Sequence, residues 1–379
     1  MPPELPHFGP NFVMYCLGLA TYIEPAFTMQ SFDNSTITAI VPAFNEEKSI
    51  GKTLESLLNQ TKKLEQIIVV DDGSTDRTSE VVENFRNVTL IKNHRRIGKA
   101  ESINRVLELI STDFVIIVDA DTVLEESFAE KSLKVFVDED VAAANGFVIP
   151  DARSANAALR KARVVEDIYA QSTLKRGQNA VNGLFVISGC CAVFRTKVLK
   201  RFGFPNDTVT EDLDLTWLML QDGYRTSLIN SYARTLEPRG LKEYVAQIKR
   251  WYMGFFQCLA KHGSRIFLSK PLTFTLLLVL LESLIFTFFW AATIWLIFAS
   301  PWLSGGLDFL RWFALTLIAV DIAIVCFPAV FKAKSAGVHW AFLSGLPVYY
   351  FLRIVNTFVW WSTFAEWLFG YGIVWRKSS

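Results

Sequence analysis

The sequence predicts an α/β fold, a doubly wound and mostly parallel sheet, followed by a helical membrane domain. Three observations carry this. Between residues 36 and 235, short Val/Ile-rich runs alternate with amphipathic stretches. Several of those runs end in carboxylates. After residue 270 charge nearly vanishes over stretches long enough to cross a bilayer. The chain therefore divides into an N-terminal interfacial or membrane-associated segment (1–35), an α/β domain (36–235), amphipathic interface helices (236–270) and transmembrane or interfacial helices (271–379).

Within 36–235, Thr36–Val41, Gln66–Val70, Val88–Ile91 and Phe114–Val118 read as buried strands, each bounded by polar or turn residues. Glu46–Leu58, Asp76–Phe85 and Lys99–Ile110 read as the helices between them. Strand–helix–strand order implies parallel pairing. Ligands of such sheets sit beyond the carboxyl ends of the strands. Before this unit, residues 11–29 are apolar but interrupted by Glu24 and Pro25, which favours a helix lying in the interface over a spanning one. No basic n-region or cleavage site marks a signal peptide.

Composition sets the class. Of 379 residues 51% are hydrophobic and 14% aromatic, with 11 Trp, and the excess falls after residue 270. A net charge of +1 without a long Lys/Arg run gives no footprint for nucleic acid. Five Cys show no metal spacing or disulfide framework, so a reducing compartment fits the catalytic half. Adjacent Cys190 and Cys191 read as small buried residues.

Leu272–Ala299 carries one charge, Glu282, and Trp312–Phe331 one, Asp321. Trp340–Phe369 carries Pro347, Arg353, Asn356 and Glu366, and could span, kink or lie flat. Lys261, Arg265 and Lys270 precede the first stretch and Lys332 and Lys334 follow the second. The basic residues thus predict a multi-pass plasma-membrane protein with its catalytic half cytoplasmic. Arg376 and Lys377 fit the same side if the third stretch does not simply cross once. Glu282 and Asp321 fall at similar depth. They read either as local partners, such as a salt bridge with Arg353, or as the lining of a polar path.

Three D-x-D triplets occur, and context separates them. Asp138 and Asp140 fall in an acidic turn. Asp119 and Asp121 end a buried strand, where a carboxylate pair can hold a divalent ion that also grips a diphosphate. Helix capping by Asp121 is the plainer alternative. Pro42, Asn45 and Glu46 end the first strand, and Asp71-Asp72-Gly73-Ser74 the second. Carboxylates there can accept hydrogen bonds from a base or ribose, while Asn45 could equally cap the next helix. His94-Arg95-Arg96-Ile97-Gly98-Lys99 is either a solvated loop or a phosphate contact with Lys99 as its point charge. Glu211 and Asp212 open a helix, as ordinary dipole complements or with Asp212 as a base near an acceptor hydroxyl. Ser188-Gly189-Cys190-Cys191 is a small-residue turn, suited to an acceptor floor or to tight packing. Gln247-x-x-Arg250-Trp251 places a cation and an indole where the catalytic half meets the membrane.

In this order, these pieces resemble the family-2 glycosyltransferases, whose catalytic domain has the nucleotide-sugar-binding GT-A fold. The match runs over about residues 36–260 and, more loosely, the membrane part. It looks most like the membrane-bound processive branch of poly-N-acetylglucosamine, hyaluronan, chitin and cellulose synthases. The resemblance implies a UDP-sugar donor, a glycan or lipid-linked acceptor, and Mg2+ or Mn2+. Pro42, Asn45, Glu46, Asp72, Lys99, Asp119 and Asp121 would line the donor, with Asp121 and Asp119 facing the metal. Asp212 would be the base, with Glu211, Gln247, Arg250 and Trp251 completing the catalytic set. Ser188, Gly189, Cys190 and Trp251 would meet the acceptor. The reaction would invert an α-linked donor into a β-linked product. Relatives of this branch often carry clear spans before the catalytic domain, so a second copy or a partner membrane subunit is a further expectation. Single transfer to a polyprenyl phosphate is the competing reading, and the stacking indole argues against it. A degenerate, non-enzymatic domain would lack Asp72, Asp119, Asp121 and Asp212, all of which are present.

Overall fold

The computed structural model describes residues 34–154, 156–299, 308–335 and 338–370. The 11–29 segment, Arg376 and Lys377 lie outside the described residues. The first half of the sheet follows the sequence closely. Strands β1 (Ile37–Ala43), β2 (Gln66–Asp71), β3 (Thr89–Lys92) and β4 (Phe114–Val118) alternate with helices α1 (Ile50–Leu58), α2 (Thr78–Glu83) and α3 (Lys99–Leu107). They pair in parallel in the order β3-β2-β1-β4. Ala43 lies opposite Asp71, and Asp71 opposite Lys92, so the strand ends reach one rim together.

The second half adds antiparallel pairs that the sequence reading did not anticipate, although four of the seven strand pairs remain parallel. Four more strands extend it: β5 (Val123–Leu124), β6 (Val141–Pro150), β7 (Cys191–Arg195) and β8 (Arg225–Thr235). The order continues β4-β7-β6-β8-β5. The β4–β7, β6–β7 and β5–β8 pairs are antiparallel and β6–β8 is parallel, which makes the sheet mixed. Strand β6 gives little warning of itself. Ala142-Ala143-Ala144-Asn145-Gly146 has poor strand propensity, and full burial erases any alternation. Gly146 is needed there, because a Cβ would come within 2.9 Å of Ser231 O and closer still to the Phe128 ring.

Around the sheet lie α4 (Phe128–Val135), α5 (Ala157–Tyr169), α6 (Arg176–Ala180), α7 (Thr196–Phe202) and α8 (Glu211–Gln221). A π-turn, Ala170–Lys175, joins α5 to α6, and Gln171 on it has a specific job. Its side-chain amide accepts from Val148 N at 2.7 Å and donates to Val148 O. Strand β7 pairs with β6 only along Ala143–Asn145, so Gln171 stands in for the missing strand farther on.

The C-terminal third continues as α9 (Leu241–His262), a 3-10 turn (Gly263–Leu268), α10 (Lys270–Ala299), α11 (Asp308–Ser335), a second 3-10 turn (Trp340–Gly345) and α12 (Leu346–Leu368). Pro347 sits in the first turn of α12, where its missing N–H breaks no bond, so it starts the helix rather than kinking it. These helices share one apolar core with the sheet layer, joining Trp217, Trp251 and Phe255 to Leu352 and Trp360. At Gly345 the chain runs so close to α5 that a Cβ would lie 2.5 Å from Lys161 C. Buried Arg163 on α5 pairs with Glu166 and with Glu237 at 3.1 Å, and the Tyr244 hydroxyl of α9 donates to Asn356 Oδ1 of α12 at 2.9 Å. Asp321 takes the local-partner option: Arg353 Nη1 donates to it at 2.6 Å and the Tyr350 hydroxyl at 2.8 Å. The side chain of Glu282 is outside the described residues.

Among the described residues, Trp340–Leu368 is long and apolar enough to cross a membrane, and 39% of its most apolar window is buried against the rest of the chain. Lys270–Leu281 and Leu315–Phe327 are shorter apolar helical stretches.

Candidate active site

The rim beyond β1, β2 and β4 gathers most of the residues singled out in the sequence. Pro42 is buried within β1, opposite Val70. Asn45 follows with φ +59°, in the left-handed region that Asn tolerates best after Gly. Its Oδ1 accepts from Thr75 N at 2.8 Å, and its N–H donates to Ser74 Oγ at 2.9 Å. Asn45 therefore ties the first rim loop to the second. This corrects the capping alternative, since the following helix takes no side-chain cap. Gly73 at φ +77° lets the basic loop cross directly over it, with a Cβ position only 2.9 Å from Arg95 C. Arg96 then lies over the Phe44 ring at 4.2 Å.

Asp72 organises that loop. Its Oδ1 accepts from Ile97 N at 2.8 Å and Asn93 Nδ2 at 3.0 Å, and its Oδ2 from Gly98 N at 2.8 Å. The carboxylate is buried and draws Lys99, at the start of α3, to the centre of the site.

Three carboxylates face one another on the donor side. Burial raises the Glu46 carboxyl above its ordinary range, and the Asp121 and Asp119 charges add to this against a hydrogen bond with Ser49. Burial and the Asp119 charge likewise raise Asp121. Asp121 Oδ1 accepts from the hydroxyls of Thr122 and Thr235, each at 3.3 Å. It caps no helix, because strand β5 follows it. Lys99 Nζ pairs with Asp119 Oδ1 at 2.5 Å and approaches Glu211 Oε1 at 3.8 Å. Burial opposes the Lys99 charge, but Asp119 and Glu211 outweigh it and hold the amine above its usual value.

Asp212 lies just behind Lys99, at the start of α8. Its Oδ1 accepts from Leu213 N at 2.8 Å and its Oδ2 from Gly189 N at 3.2 Å. Burial, helped by the Glu211 charge, pushes it up to about 6 against the pull of Lys99. Gly189 is wedged in this contact, since a Cβ would meet Lys99 Nζ at 3.2 Å and Asp212 Oδ2 at 3.3 Å. Ser188, Cys190 and Cys191 are all buried beside it. The arrangement can hold an anionic donor near paired carboxylates and take a proton at Asp212.

The Gln247–Trp251 box sits mid-way along α9, and the same helix packs on the segment that leads to Asp212. Gly254 makes this possible, as a Cβ there would overlap Thr210. Gln257 Oε1 also accepts from Val209 N at 3.0 Å. Arg250 is exposed and Gln247 half-buried. Trp251 is 1% exposed and belongs to the shared core, so its indole offers no open face to a sugar. This corrects the expectation of an acceptor-stacking ring. The box motif specifies residue types on a helix, but not which way that helix faces.

One group near the site escaped the sequence reading, and a second, Asp214, was visible there only as the partner of Asp212 in the third D-x-D triplet. Thr235 contacts Asp121 from the end of β8, a strand whose start gave no signal. Asp214, two residues after Asp212, is fully buried and accepts from Lys261 Nζ at 2.8 Å and Thr208 Oγ1 at 3.0 Å, with His262 Nε2 at 2.9 Å. Its burial was the missing clue, since Asp214 by itself looks like another first-turn acid.

Comparison with known proteins agrees with this geometry. Residues 38–203 match the family model described as "Glycosyl transferase family 2". The uncharacterized glycosyltransferase YaiP of Escherichia coli (strain K12) is 28% identical over 266 residues, covering 68% of this chain and 67% of that protein. A poly-beta-1,6-N-acetyl-D-glucosamine synthase of Staphylococcus aureus (strain COL) is 27% identical over 234 residues, covering 59% of this chain. That match spans 56% of the synthase, little more than half its length. Among solved structures, the mannosyltransferase PcManGT from Pyrobaculum calidifontis, in complex with GDP-Man and Mn2+, is similar with a TM-score of 0.59 at 22% identity. That likeness of fold covers 90% of this chain and 94% of PcManGT, reaching past the sheet into the C-terminal helices. Residues 38–203 are thus a family 2 glycosyltransferase domain, laid out on a GT-A sheet that continues to Thr235.

Proposed function

We propose that this chain is a membrane-bound inverting glycosyltransferase that uses a UDP-sugar to extend a β-linked glycan. The observation that carries the reading is Asp212. It is a buried carboxylate tuned to about 6, held by two backbone N–H groups behind a rim of donor-facing acids. Ser188, Gly189 and Cys190 are buried and back Asp212, which corrects the expectation that they floor the acceptor site. An acceptor hydroxyl that reaches Asp212 gives it its proton as the hydroxyl oxygen attacks the sugar's anomeric carbon. The C–O bond to the diphosphate breaks on the opposite face, which inverts the configuration. General-base help of this kind contributes roughly 10²–10⁴-fold. Arg250, exposed on α9, is the cation for the departing diphosphate.

The donor side fits a hard divalent ion. Asp121 is an all-oxygen ligand that forms no salt bridge among the described residues, and PcManGT was solved with Mn2+. Among the described residues no three His, Cys, Asp or Glu groups form a metal cage. Asp119 and Asp121 would therefore supply part of the shell and the nucleotide's phosphates the rest. Bound there, Mg2+ or Mn2+ would neutralise charge on the diphosphate. The apolar helices α10–α12 and the basic residues that flank them support a multi-pass membrane location with the sheet on the cytoplasmic side.

A second reading, single transfer to a lipid-linked acceptor, is favoured by the burial of Trp251. Without an open indole, the box no longer argues for a sugar chain in the acceptor site. Purified protein incubated with a panel of UDP-sugars and Mg2+ or Mn2+, followed by sizing of the product, decides between them. A long polymer supports extension, and one sugar on an added polyprenyl phosphate supports single transfer. Absence of any transfer from every UDP-sugar, with no UDP binding, would sink both.

A further inference from the structure

The reaction as read so far leaves one buried carboxylate unused. Asp214 has no exposed surface, yet it gathers two cationic or ionisable partners from the last turn of α9. Its Oδ1 faces His262 Nε2 at 2.9 Å, and its Oδ2 accepts from Lys261 Nζ at 2.8 Å and Thr208 Oγ1 at 3.0 Å. The other ring nitrogen of His262 faces Gln221 Oε1 at 3.1 Å, at the far end of α8. The His262 ring also lies edge-on to buried Trp217 of α8, with centroids 5.4 Å apart. His262 thus touches both ends of the helix that Asp212 begins.

Such a cluster is a poor device for stability alone. Desolvating a carboxylate and its partners offsets most of their attraction, and apolar replacements of similar size are often as stable. What a buried polar cluster does supply is a unique alignment, because a helix slid or turned out of register leaves its charges unpaired. Here the aligned elements are the two that carry the chemistry. Helix α8 starts at the base, and α9 carries the box with Arg250. The neighbouring contacts of Gly254 with Thr210 and of Gln257 with Val209 N hold α9 close to the segment before α8 at one level of the helix. The Asp214 cluster lies one to two turns farther along and adds a second anchor, on α8 itself, which together with the first sets the relative tilt and register of the two helices.

We propose that Asp214, with His262 and Lys261, is a positioning cluster that sets the box helix in register with Asp212. The inference rests on Asp212 acting as the base. A misplacement of about 1 Å in such a constellation lowers turnover about 10²-fold. The test uses full-length protein and three variants: Asp214→Asn, His262→Gln, and the apolar triple Asp214→Leu, His262→Leu, Lys261→Met. The triple is expected to keep its unfolding midpoint and its affinity for UDP while kcat falls about 10²-fold. Asp214→Asn should fall comparably, and His262→Gln, which keeps an N–H for Asp214, should retain most of kcat. Wild-type kcat in the folded triple would overturn the proposal. So would a loss of kcat that tracks UDP affinity and the unfolding midpoint together, the mark of a merely structural role. Asp212→Asn measured alongside separates the two failures. If it still turns over, the base assignment falls. If it is dead while the folded triple is active, only the positioning role falls.

Discussion

Asp212 and Trp251 show how differently single residues can be read. Asp212 drew attention only through its place in the ordered set of motifs, since an acid opening a helix is otherwise an ordinary dipole complement. Burial and the Glu211 charge push its carboxyl up to about 6 against Lys99 and two backbone N–H groups, which suits the proposed base. The active form is the ionised one, so kcat/KM should climb with pH up to about 6 and level off above it. Glu211→Gln removes a raising charge and should move that limb to lower pH, as a pH–rate profile would show. Asp212→Asn should abolish transfer while leaving UDP binding nearly intact, which calorimetry can check. Trp251 was legible as a motif residue but not as a core residue, because the direction of a helix face depends on partners that are distant in sequence. Its truncation to Ala should destabilise the protein by about 3–5 kcal/mol, seen in denaturant unfolding, rather than weaken acceptor binding selectively.

At the level of elements, the parallel half of the sheet was written in plain hydrophobic runs, and β1 to β4 fall where those runs predict. The antiparallel half was not. Strand β6 is fully buried and built from Ala, Asn and Gly, and its pairing with β8 joins residues far apart in sequence. The rim site shares this division: the ends of β1, β2 and β4 were visible, while Thr235 at the end of β8 was not. Helix α9 was placed correctly as the bearer of the box but not as a packed element. Its approach to Thr210 depends on Gly254 having no side chain. Gly254→Ala should therefore strain the joint by about 1–3 kcal/mol and reduce kcat more than donor KM, since it pushes the box from the base without touching the donor rim. Steady-state kinetics on the variant would test this.

Across the whole molecule, the catalytic sheet and the C-terminal helices are not two bodies joined by a linker. Trp217 and Phe255 share a core with Leu352 and Trp360, and α5 meets Gly345 backbone to backbone. A chain cut after Leu268 should fail to give a folded soluble domain, with dye binding to exposed apolar surface as the readout. The change in composition at residue 270 does not report this packing, because hydropathy marks where a chain becomes apolar and not what it packs against. Gln171 carries this further, into which lengths of chain are free to vary. Its amide occupies the place of a strand beside Val148, at a fixed angular position on the α5 layer. One residue inserted between 157 and 171 would swing it by about 100° and leave β6 with unpaired backbone groups. The acidic turn at 138–140 is exposed and tied differently: Arg225 Nη1 donates to Asp138 Oδ2 at 2.9 Å, Arg195 Nη2 to Asp138 O at 3.0 Å and Arg225 N to Asp140 O at 2.8 Å. An insertion there should break these surface contacts and still cost less stability than one in the α5 helix, as denaturant unfolding of the two variants would show.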